Sequence, residues 1–153
     1  MERIMLAVTQ ANGCEICSYV HTKMALETGM QKEEIQKILS GDMGEIPKEE
    51  VVAVFFAQHY ADKRGNPSKD SWKRVVKEYG KEKALGILGA TRMIMIGNII
   101  GIPFSAFRSR LKGKPIKKSN LIYEIGMMLS IIVFLPVAFK HSIISNVFKT
   151  AII

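Results

Sequence analysis

Only two cysteines occur in the 153 residues, and they stand three positions apart. That scarcity excludes the disulfide framework of small secreted proteins, because so short a loop hardly constrains the unfolded chain. Alternating apolar and polar runs bounded by hairpin turns are missing too, so strands are not expected. The opening MERIMLAVTQANG lacks the basic start, long apolar run and small-residue cleavage site of a signal peptide. A cytoplasmic location is therefore expected, where both thiols stay reduced. No phosphate loop, G-x-S-x-G elbow or carboxylate array suited to magnesium is present.

Acid is scarce in one region. Residues 1–107 carry 14 Lys and Arg against 13 Asp and Glu, whereas residues 108–153 carry 8 against the single Glu124. The net charge of +8 thus belongs to the tail. It centres on RSRLKGKPIKK, with Arg108, Arg110, Lys112, Lys114, Lys117 and Lys118, where no aromatic is available to stack on a base. This argues for a solvated linker over residues 108–118, with an anionic membrane surface or acidic partner as the second reading, and against nucleic acid.

What is present reads as helix throughout. Ile4, Met5, Val8 and Ala11 form one face of a first helix that Asn12-Gly13 ends. A second runs from about Cys14 to Gly29. A short amphipathic helix follows with Met30, Ile35, Ile38 and Leu39 inward, and Pro47 opens KEEVVAVFFAQHYADKRG. Trp72, Val75, Val76 and Tyr79 repeat at helical spacing as core positions. The next helix, KEKALGILGATRMIMIGNIIG, is expected to end before Pro103, with its glycines pointing to close helix packing. His59 reads as a packed or hydrogen-bonded core histidine, and Asn98 as satisfying a backbone group between helices. Ile125–Phe139 is 15 residues without charge, short of the ~20 that span a bilayer. A helix buried in its own subunit or against a neighbour is preferred there to a membrane segment.

Cys14, Cys17 and His21 fall within eight residues, at spacings that put all three on one side of a helix. The positive end of a helix favours a thiolate, two thiols one turn apart can close a disulfide, and an imidazole can exchange a proton near neutral pH. Zinc would need a further ligand or an open position, and buried cysteines beside a core histidine are the bland alternative. Redox chemistry is preferred to both. Position at the helix start favours Cys14 as the more acidic thiol, whereas nearness to His21 favours Cys17.

Glu2, Cys14, Cys17 and His21 together resemble the E-x11-C-x2-C-x3-H signature of the AhpD-like proteins in the carboxymuconolactone decarboxylase superfamily. The resemblance extends through ERIMLAVTQANGCEICSYVHTKMALETGMQKEEI, VVAVFFAQHYADKRGNPSKDSWKRVVKEYG and ATRMIMIGNIIGIP, about residues 2–105. It implies an all-α, AhpD-like helical bundle over residues 1–107, a homo-oligomer, followed by the basic linker and hydrophobic helices over 119–153. It further implies a peroxidase that reduces hydroperoxides without a bound cofactor or metal. Cys17 would be the peroxidatic thiolate, Cys14 the resolving thiol, and His21 and Glu2 a proton relay. An external dithiol or lipoyl-type group would restore the pair. Ile16 departs from the polar or aromatic residue that relatives often carry there. A decarboxylase acting on a lactone acid, or a membrane-associated redox sensor, are the alternative functions.

Overall fold

The computed structural model describes residues 1–117 and 119–147. Among the described residues there are helices and no strand: α1 (Glu2–Asn12), α2 (Glu15–Glu27), α3 (Lys32–Ser40), α4 (Val51–Asp62), α5 (Lys69–Leu111) and α6 (Leu121–Val147). The all-α expectation holds. Of the basic run, Lys118 lies outside the described residues, as do residues 148–153 of the tail.

The first helix is the centre of the bundle. It packs against α2, α3, α4 and α5, and so every residue from Ile4 to Thr9 is buried, not only one face. Leu6 and Val8 join Ala25, Ile35, Ile38, Val54, Ala57 and Ile94 in the main core. A second cluster gathers Phe56, Tyr60, Val75, Ala84 and Leu88, with Trp72 and Tyr79 at its edge. The amino end of α1 is tied down by Arg3, whose guanidinium donates to Glu34 at 2.6 Å and to Glu50 at 2.9 Å. The hydrogen bond to Glu34 pushes the Arg3 pKa up, ahead of the opposing effect of burial.

One helix boundary differs from expectation. The helix expected to stop before Pro103 runs on to Leu111. Proline removes one backbone donor, but Pro103 is fully buried between buried Gly101 and Ala106, and tertiary packing outweighs the local preference. Arg108 and Arg110 therefore sit in the last helical turn. The expected division after Tyr79 is present within α5 as a break at Gly80, where φ is 75° and ψ 162°. Only glycine adopts that backbone readily.

The tail differs as well. In place of burial within its own subunit, the apolar window Leu121–His141 of α6 is 6% buried. Only its first turns rest on α5, where Arg110 donates to both carboxylate oxygens of Glu124, at 2.9 and 2.8 Å.

Tyr79, next to the break, donates to the Glu49 carbonyl at 2.8 Å and accepts from the Ala53 N–H at 3.2 Å. Burial pushes its pKa above the usual 10.0. The folded protein thus holds this proton more tightly than the unfolded chain, so the contribution is complete below the ordinary tyrosine value and is lost as pH rises through the folded one. Tyr79→Phe should cost about 1 kcal/mol at neutral pH. In urea melts it should lose less stability than the parent above about pH 10.

Candidate functional site: a disulfide under helix α5

The site begins where α1 stops. Gly13 takes φ 66° and returns its N–H to Gln10, which turns the chain. Cys14, extended at φ −88° and ψ 97°, is the capping residue just ahead of α2, not part of its first turn. Its N–H reaches the Thr9 carbonyl at 3.3 Å, while its carbonyl receives the Ser18 N–H at 2.9 Å. Cys17 lies within the first turn of α2. The two sulfurs are bonded at 2.07 Å, with the Cα atoms 5.3 Å apart. Cys14 is fully buried and Cys17 is 8% exposed.

His21 stands one turn beyond Cys17 on the same helix face, and helical side chains lean toward the amino end. Its Nδ1 lies 3.1 Å from Glu2 Oε2, and both side chains are largely buried. Glu2 is thus set against α2 by the same first turn of α1 that Arg3 fastens to α3 and α4. The expected residues thus form two pairs, Cys14 with Cys17 and His21 with Glu2, joined through α2.

A fifth contributor escaped the sequence reading. A Cβ built on Gly101 of α5 would stand 2.6 Å from Cys17 Sγ, 2.7 Å from Cys14 Sγ and 3.1 Å from Ile16 Cγ2. The α5 backbone therefore rests directly on the disulfide, and the Gly97 carbonyl lies 4.0 Å from Cys17 Sγ. Ile16 packs beneath the same turn. Asn98 does not bond a backbone group as expected. Its Oδ1 accepts from the Thr9 hydroxyl at 3.4 Å, and its Nδ2 has no hydrogen-bond partner among the described residues. Asn98 is 1% exposed, so that nitrogen is also shut away from bulk water.

Two recesses open on the surface, one of them beside Glu2. One of about 380 Å³ is lined by Met1, Glu2, Arg3, Thr28, Met30 and Glu34 and so opens at the Glu2 carboxylate. The other, about 390 Å³, lies among Val52, Phe55, His59, Ser71 and Arg74, and none of the four expected site residues lines it. His59 there accepts the Ser68 N–H at 3.4 Å, which fits a hydrogen-bonded histidine, but it is half-buried at the edge of the recess and not in the core. Among the described residues no group of three or more His, Cys, Asp or Glu is placed to hold a metal ion.

Fold and site together define an all-helical protein with a CxxC disulfide and an adjoining histidine–glutamate pair. The model of the carboxymuconolactone decarboxylase family matches residues 1–56, the segment that carries Glu2, Cys14, Cys17 and His21. That match and the cysteine pair fit the AhpD-like proteins broadly. Neither a curated protein nor a solved structure matches the chain.

The Gly101 contact gives a direct test. Gly101→Ala should destabilise the oxidised protein by about 1–3 kcal/mol, because the new methyl group overpacks both sulfurs. Gly97→Ala, whose Cβ would meet only Ile94 Cδ1 at an ordinary 3.9 Å, should be neutral or stabilising by up to about 1 kcal/mol. Thermal melts of the two oxidised variants measure the difference.

Proposed function

We propose that the protein is a thiol-dependent peroxidase and disulfide oxidoreductase of the AhpD-like kind, with Cys17 and Cys14 as the working pair and His21 and Glu2 as proton relay. The observation that carries this reading is the Cys14–Cys17 bond with the His21–Glu2 pair one turn away. In the reduced protein the Cys17 thiolate attacks the O–O bond of a hydroperoxide. The outer oxygen transfers to sulfur as sulfenic acid, and the alkoxide leaves with a proton supplied through His21. The Cys14 thiol then condenses with the sulfenic acid, forming the disulfide and releasing water.

Relative exposure supports Cys17 as the attacking sulfur, since a substrate can reach it while Cys14 is covered. Cys14 instead occupies the capping position of α2, where the free backbone N–H groups of the first turn stabilise the thiolate needed for condensation. Glu2 orients the His21 ring through Nδ1 and links it to the recess beside α1. An external dithiol or lipoyl-type group returns two electrons and completes the cycle. Exposed Tyr19, Met24 and Met93 on α2 and α5 are suited to a homo-oligomeric contact. A lactone decarboxylase reading leaves the disulfide without a role.

Titration of free thiols before and after one equivalent of hydroperoxide tests the proposal, with mass spectrometry to locate the oxidised sulfur. The reduced protein should fall from two thiols to none. Cys14→Ser should stop at a sulfenic acid on Cys17, and Cys17→Ser should lose turnover by at least about a hundredfold. Unchanged thiol counts, or turnover retained in Cys17→Ser, would refute the mechanism.

A further inference from the structure

The redox chemistry leaves α6 without a role. Its charge-free run, Ile125–Phe139, is 15 residues, only about 22 Å of helix against a hydrocarbon layer of ~30 Å. The structure changes this count at the base of the helix. Glu124 is fully buried, its carboxylate held by Arg110 and by the Ser119 hydroxyl. The outer surface of α6 therefore carries no charge from Leu121 to Phe139, 19 residues by number, or about 28 Å.

Coverage by the protein is confined to one stripe. Glu124, Met127, Met128, Ser130 and Ile131 are buried or half-buried, whereas every residue from Ile132 to His141 is exposed. Ile132, Val133, Phe134 and Leu135 are consecutive and each more than half exposed, so the apolar surface goes all the way round. A neighbouring protein covers one face of such a helix, while lipid covers all of them. The ends fit the same environment. Arg108, Lys112, Lys114 and Lys117 are exposed beside the base, Tyr123 is half exposed there, and Lys140 stands at the far end of the apolar run, able to reach an interface. On α5, Ile99 and Phe104 add exposed apolar surface.

We propose that α6 inserts into the hydrocarbon of a lipid bilayer, with the exposed cations of residues 108–117 on anionic headgroups. This does not depend on the redox activity. The test is flotation of the detergent-free full chain with phosphatidylcholine vesicles containing a minority of phosphatidylglycerol, followed by washes in high salt and in alkaline carbonate. The wild type should float and resist both washes. Ile132→Lys with Phe134→Lys should cut the floated fraction more than about tenfold. The melting temperature and thiol count of that variant should stay those of the parent, because both side chains project from the protein. Replacing Lys112, Lys114 and Lys117 with Gln should weaken binding to the anionic vesicles several-fold and leave binding to pure phosphatidylcholine unchanged. A soluble oligomer that ignores vesicles, protein stripped by salt, or a lysine variant that floats like wild type would each overturn the proposal.

Discussion

The site depends on a single close approach, that of the α5 main chain to the Cys14–Cys17 bond. Proteins can bring a backbone within van der Waals range of a sulfur pair only where no side chain intervenes, and Gly101 provides that position. The approach fixes more than the sulfurs. It sets α5 against the start of α2 and both sulfurs, and places Asn98 against Thr9 of α1.

The His21–Glu2 pair depends on a second constraint. A first-turn glutamate ordinarily frays with its helix end, yet Arg3 binds Glu34 and Glu50 and holds that turn. The His21–Glu2 pair is therefore assembled by α1 as much as by α2. An ion pair of partly exposed residues contributes modest stability; its value here is geometric.

Much of this was legible in the chain itself. Cys17 and His21 share a face because helical periodicity requires it, whereas Cys14 meets Cys17 from the capping position just ahead of α2; Gly13 ends α1 because its left-handed turn is available to few other residues. Gly101 was not legible as a site residue, since nothing local distinguishes it from Gly97; the difference lies in what each faces across the bundle. Pro103 misled for the related reason that burial can hold a helix together where a local donor is lost. Glu124 misled in the other direction. Read along the chain it looks like a charge that shortens the apolar run of α6, and only its pairing with Arg110 removes it from the surface.

The break at Gly80 gives α5 two rods where the hydrogen-bond pattern suggests one. Angular phase is not carried through a non-helical residue. The rod that ends at Tyr79 can turn about its own axis to suit Trp72 and Val75 without rotating the rod beyond it. The azimuth at which Gly101 meets the sulfurs is therefore registered by Ala84, Leu88, Ala90 and Ile94 against the core, and strain at the first rod stops at the joint.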